Sequence, residues 1–134
     1  MSPSDAEMSK AAALLSDAVV VWLTTVGPGG QPQASPVWFV VEDGEFLVYS
    51  APSRRLANIA ANPRVALNLD SNDGEDVVTI EGTARVVDGP RNDAHPAYRE
   101  KYLARIVEMG YTAAQCAAEY SVPIRITPTR WRVL

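Results

Sequence analysis

The sequence predicts a mainly β protein, six antiparallel strands forming a small barrel with short flanking helices. Strand-forming runs recur between turn dipeptides, and most links joining them are too short to hold a crossover helix, so neighbouring strands must run antiparallel. Amphipathic helical patterns are confined to the N-terminal segment, one short stretch in mid-chain and the region after residue 96. With 134 residues, 47% apolar and 21% charged, the chain is long enough for one domain, 1–134, that buries roughly two-thirds of its unfolded surface.

Residues 5–17 read as a helix with Ala11, Leu14 and Leu15 at helical spacing, and the barrel follows over about 19–133. VVVWLTTV (19–26) is the first strand and GPGG its turn; Trp22 is expected in the core. QASPVWFVVE (33–42) and EFLVYSA (45–51) flank Asp43-Gly44, the dipeptide of a tight hairpin. Strand alternation gives Val37 and Phe39 one face and Trp38 the other, so one of these faces is a dimer interface or a ligand wall and not barrel interior. RVALNLD (64–70) and VVTIEGTARVV (77–87) enclose the polar turn SNDGED. Tyr98, Tyr102, Ile106 and Met109 mark an amphipathic helix over 97–109, and Thr112 caps a second one to Glu119. PIRITPTRWRV is a last strand bent at Pro128, with Trp131 either a lid over a site or an edge-strand anchor.

Several functional classes are excluded. A net charge of −4 argues against a general nucleic-acid or membrane-surface binder, and no apolar run reaches the length of a membrane span. The single Cys116 rules out an internal disulfide and a cysteine-rich metal site, and no signal peptide is read at the N-terminus, so a cytoplasmic location is expected. No GxGxxG or GxxxxGK[ST] follows a strand. The lone His95 reads as a surface residue, and DSNDGED lacks the spacing of a calcium loop, so no metal is expected. Charge is unevenly distributed: residues 97–134 carry six Lys/Arg against three Asp/Glu.

The informative segment is YSAPSRRLANI (49–59). Pro52-Ser53 starts a helix whose apolar face is Leu56, Ile59 and Ala60, and Asn62-Pro63 stops it, which puts Arg54 and Arg55 in the first turn. Cations there oppose the helix dipole by several tenths of a kcal/mol, about the size expected of a surface charge in that position. The two guanidiniums are either solvated or in use, bound with the unpaired N–H groups and the Ser53 hydroxyl to an anion such as phosphate.

VYSAPSRRLANIAANP resembles the cofactor-phosphate segment of the pyridoxamine 5'-phosphate oxidase-like split β-barrel flavoproteins. WLTTVGPGGQPQASPVWFVVEDGEFLVYS resembles their first three strands and IEGTARVV their fifth. Together with NPRVALNLDSNDGEDVVTIEGTA and EYSVPIRITPTRWRV, the pattern is most similar to the actinobacterial branch that uses coenzyme F420, a deazaflavin; FMN is the alternative. The likeness spans about residues 12–133.

What the resemblance implies is a homodimer with cofactor at the subunit interface. Ser35, Pro36, Val37 and Trp38 would border the ring, Tyr49 and Ser50 the ribityl chain, and Ser53, Arg54 and Arg55 would hold the phosphate. Arg55 replaces a common lysine, and Val40 and Val77 stand where the flavin oxidases carry a lysine and a partner-subunit glutamine. Oxidation of pyridoxamine phosphate is therefore not implied; hydride transfer from reduced deazaflavin to an electron-poor organic acceptor is. The rivals are an FMN oxidase or reductase of the same fold and a non-catalytic cofactor-binding protein. No general acid is singled out among Tyr98, Tyr102 and Tyr111, and the basic C-terminal region suits the coenzyme's polyglutamate tail.

Overall fold

A computed structural model describes residues 2–134. Helix α1 (Asp5–Asp17) begins in a reciprocal cap: the Ser4 hydroxyl accepts from the Glu7 N–H and the Glu7 carboxylate accepts from the Ser4 N–H. Seven strands follow, β1 (Val21–Val26), β2 (Pro32–Val37), β3 (Val40–Glu42), β4 (Glu45–Ser50), β5 (Arg64–Asn68), β6 (Val78–Val86) and β7 (Val122–Val133). Helix α2 (Arg54–Ala61) lies between β4 and β5, and α3 (Pro96–Glu108) and α4 (Ala113–Glu119) lie between β6 and β7.

All strand pairs are antiparallel, in the order β2-β1-β5-β6-β7-β4-β3. The two edge strands, β2 and β3, are separated in the chain only by Trp38 and Phe39. With only two residues between them, Val37 and Val40 lie at most about 11 Å apart, so the sheet must curl until its edges nearly meet, giving a half-barrel. This is why the expected strand 33–42 is two strands and the total is seven, not six. Its first half pairs with β1 and its second with β4, and one straight strand cannot serve partners at opposite edges.

The hairpin at Asp43-Gly44 forms as expected, with φ of 54° and 74° at the two turn residues. The bend near Pro128 is a β-bulge: Glu81 faces Arg130 while Gly82 faces Pro128, leaving Thr129 as the extra residue. Gly82 is required there, because a Cβ would stand 2.7 Å from the Thr127 carbonyl oxygen.

The main core fills the curled sheet with Val21, Leu23, Phe39, Phe46, Val48, Leu67, Ile80, Ile124 and Ile126, closed by Ala11 and Leu15 of α1 and Ile59 of α2. A second cluster joins Val40, Leu47 and Tyr49 to Tyr98, Tyr102 and Ile106 of α3 and Cys116 of α4. Strand β4 serves both by alternation, Phe46 and Val48 to one side, Leu47 and Tyr49 to the other.

Three sequence expectations are corrected. Trp22 is not a core residue: Val21 and Leu23 take the inward positions, and Trp22 is 40% exposed on the outer face. His95 is not on the surface: it is buried and caps α3, its Nδ1 accepting from the Tyr98 N–H. Ala60 is exposed, and the third inward position of α2 is the polar Asn58.

Candidate functional site

Strand β4 delivers Tyr49 and Ser50 to a turn, and Ser53 takes the N-cap position of α2 in extended backbone. The Ser53 side chain makes no capping hydrogen bond, so its hydroxyl is free for another acceptor or donor. Arg55 folds back over the strand ends. Its Nη1 donates to Ser50 Oγ at 3.0 Å and its Nη2 donates to Ser35 Oγ. The guanidinium is thus pinned between β4 and β2 by two neutral hydroxyls, with no carboxylate partner among the described residues. Burial without a compensating anion pushes its pKa down from the usual arginine range. A desolvated cation held this way is left with unmet demand for negative charge.

One turn further, Asn58 is buried and donates to Thr25 Oγ1 at 3.0 Å and Gln33 Oε1 at 2.8 Å. These bonds tie α2 to β1 and β2 and so fix where Arg55 sits. Sequence reasoning missed Asn58; the available signal was a polar side chain adjoining Ile59 on the face packed against the sheet.

The link between β2 and β3 is held from α3. Tyr102 Oη accepts from the Phe39 N–H at 2.8 Å and donates to the Val19 carbonyl at 2.8 Å. Trp38 lies face to face with the Tyr102 ring. Lys101 Nζ donates to the Phe39 carbonyl at 3.1 Å and sits 3.8 Å from the Phe39 ring centroid.

These elements enclose a pocket of about 290 Å³. Pro36, Val37, Trp38, Tyr49, Ser53 and Arg55 line it, and Ser35 and Ser50 reach it through their bonds to Arg55. Arg54 is exposed and is not on the pocket wall. The facing wall is made by Tyr98, Ile106, Met109, Tyr111, Cys116, Glu119 and Tyr120; of these the sequence had offered only Tyr98 and Tyr111, as open choices for a general acid. Among the described residues, Arg55 and Glu119 are its only charged lining residues; the remainder is mostly aromatic or apolar. A slot of this kind suits a planar ring with an anionic group at one end.

The N-terminus of α3 is anchored beside the pocket. Glu42 Oε1 takes a hydrogen bond from Arg125 and lies 3.2 Å from His95 Nε2. Because His95 Nδ1 is an acceptor, Nε2 carries the hydrogen that reaches Glu42. The Arg125 bond, assisted by His95, holds the Glu42 carboxyl below its ordinary range. Of the basic C-terminal residues, Arg125 is therefore engaged with Glu42, and Arg130 lies 3.7 Å from Glu81. Trp131 does not line the Arg55 pocket; it packs against Phe46, anchoring β7, an interior strand of the sheet. Among the described residues no group of three His, Cys, Asp or Glu is placed to hold a metal, and no helix is long and apolar enough to cross a membrane.

The sequence profile of the family described as pyridoxamine 5'-phosphate oxidase matches residues 8–134. No curated protein matches the chain. Among solved structures, conserved hypothetical protein Rv2991 of Mycobacterium tuberculosis is 27% identical, with a TM-score of 0.72, covering 98% of this chain and 84% of its own. A protein described as an F420 reductase is 23% identical, with a TM-score of 0.67 and coverage of 90% and 94%. A FAD-binding protein of Mesorhizobium loti is 18% identical, with a TM-score of 0.67 and coverage of 92% and 89%. The last two likenesses bear on the fold alone.

Proposed function

This chain belongs to the pyridoxamine 5'-phosphate oxidase family, and from that premise we propose that it is an oxidoreductase using coenzyme F420 to reduce an electron-poor organic acceptor. One observation carries the reading: Arg55 is half-buried, held by Ser50 and Ser35, and lacks a carboxylate partner among the described residues, at the end of an aromatic slot. A phosphate at Arg55 and Ser53 would supply the missing charge, and Arg54 stands beside it as a second, solvent-exposed cation.

When bound, the deazaflavin supplies hydride. The chain's own work is placement. Arg55 and Ser53 hold the anionic end, Trp38 and Val37 border the ring, and Tyr49 is fixed by donating to the Pro90 carbonyl at 2.8 Å. Orientation of donor and acceptor alone is worth several kcal/mol of barrier.

A homodimer completes this reading. The outer face of the sheet carries a continuous row, Pro36, Trp22, Asn68, Thr79 and Arg132, matched strand to strand by the register. Trp22 is the large apolar member of that row, and Pro36 belongs both to the row and to the pocket wall. A second copy docked there would border the site. Arg130 and Arg132 would serve the polyglutamate tail, and the protein would work in the cytoplasm.

FMN is the second reading, favoured by the place of Arg55 and its serines at one end of the slot, where they would hold a phosphate without reading the ring. The discriminating experiment titrates the purified protein separately with oxidised deazaflavin and FMN, following quenching of ligand fluorescence. Tighter binding of deazaflavin, weakening steadily with salt, is expected. Preferential FMN binding, or a yellow protein as purified, would replace the coenzyme assignment.

A further inference from the structure

Of the tyrosines on the pocket wall, Tyr49 spends its hydroxyl on the Pro90 carbonyl, whereas Tyr111 and Tyr120 are 46% and 43% exposed. Tyr102, which stacks beneath Trp38, has its hydroxyl occupied at the strand link. Tyr98 differs from all of these. It is 2% exposed, yet its hydroxyl has no hydrogen-bond partner among the described residues. Every fully occluded side-chain nitrogen or oxygen among those residues does have one, so the Tyr98 hydroxyl is open to the pocket that its residue lines. Its position is fixed: His95 caps the helix at the Tyr98 N–H, and the ring packs edge-on against Tyr49 at 4.9 Å.

We infer that Tyr98 is the hydrogen-bond donor to a carbonyl oxygen of the acceptor, and that the acceptor is a planar, largely apolar conjugated carbonyl compound. A buried phenol among Ile106, Met109 and Cys116 offers one polar contact in an apolar wall, which selects a ligand with one matching oxygen. Burial pushes the phenol well above its ordinary pKa, so it remains a donor. The choice of an acceptor as the ligand rests on the redox reading of the pocket. As hydride from the reduced deazaflavin adds to the carbon conjugated with the carbonyl, the displaced π pair moves onto the oxygen. The Tyr98 O–H bond to that oxygen strengthens there. A proton from water then adds to the neighbouring carbon, and the carbonyl re-forms.

The test uses the protein without added cofactor and calorimetric titration of two probes of the same carbon skeleton, 2,3-dimethyl-1,4-naphthoquinone and 2,3-dimethylnaphthalene, which carry C=O and C–H respectively at ring positions 1 and 4. Tyr98→Phe should weaken the quinone roughly three- to tenfold and leave the hydrocarbon unchanged, as expected for loss of one neutral hydrogen bond. Val107→Ala, on the exposed side of α3 and off the pocket wall, should change neither, and the melting temperature of each variant reports whether the ring packing survives. Equal losses for both probes, no loss for either, or no binding of the quinone to the unaltered protein would overturn the inference. A parallel deazaflavin titration separates the two proposals. Failure of the unaltered protein to bind deazaflavin sinks the redox reading while the probe result stands on its own, whereas a Tyr98→Phe loss confined to deazaflavin assigns the hydroxyl to the cofactor and overturns the present assignment.

Discussion

Trp38 and Tyr102 lie face to face, with ring centroids 4.5 Å apart and planes inclined by only 3°. The stack joins the link between the two edge strands to α3, and the Tyr102 hydroxyl bridges the Phe39 N–H and the Val19 carbonyl beside it. The curl of the sheet and the wall of the pocket therefore depend on the same side chain.

Tyr102→Phe keeps the stack and removes the bridge. It leaves the Phe39 N–H unsatisfied in a buried setting, a loss of about 1–3 kcal/mol. Urea denaturation should show that drop, and an unchanged midpoint would mean that the bridge is replaced by water at no cost.

Arg55→Ala should weaken binding of the phosphate-bearing cofactor by about 1.5–3 kcal/mol, the scale of a charged hydrogen bond, without lowering the melting temperature. Removing a desolvated cation that lacks a carboxylate partner among the described residues should leave the unliganded fold no less stable. Arg55→Lys should recover part of the affinity, since charge is kept and the fork is lost. Fluorescence titration measures both variants.

Gly82→Ala should destabilise the protein by about 1–3 kcal/mol, because the new Cβ meets the Thr127 carbonyl oxygen at 2.7 Å, and backbone at a bulge has to move. Thermal melting is sufficient to test this. A neutral result would show that the bulge at Thr129 absorbs the shift.

Stability should depend on pH at both ends of the range. Burial pushes the Lys101 ammonium down to about 8. The unfolded chain, with an ordinary lysine, binds more protons between that value and about 10.4, so stability rises with pH across this window. Lys101→Met should flatten the rise. Above about pH 10 the trend reverses, because Tyr98 and Tyr102 have raised values and the unfolded chain loses its phenolic protons first. On the acid side, hydrogen bonds from Arg85 and Thr127 hold Glu45 at about 2. That contribution is present above the ordinary carboxyl range, is lost as pH falls towards 2, and should shrink in Arg85→Ala. Melting temperatures from pH 2.5 to 10.5 check all three slopes.

The sequence by itself determined the local features of this protein. Asp43-Gly44 specifies a tight turn because its backbone needs positive φ, Thr112 and Gln115 cap α4 reciprocally, and Ser53-Arg54-Arg55 opens a helix at the end of a strand. Each is written in residues adjacent in the chain. Only the tertiary structure decided which way the alternating faces turn. A period of two tells that Trp22 opposes Val21 and Leu23, but which side meets the core depends on register with β2 and β5. The same is true of the break at Trp38-Phe39, which exists because the sheet closes on itself, and of His95 and Asn58, whose partners lie 53 and 25–33 residues away in sequence. Tyr98 follows suit: its helical spacing marks it as buried, and only the packing of α3 against β4 opens its hydroxyl to the pocket beside Arg55.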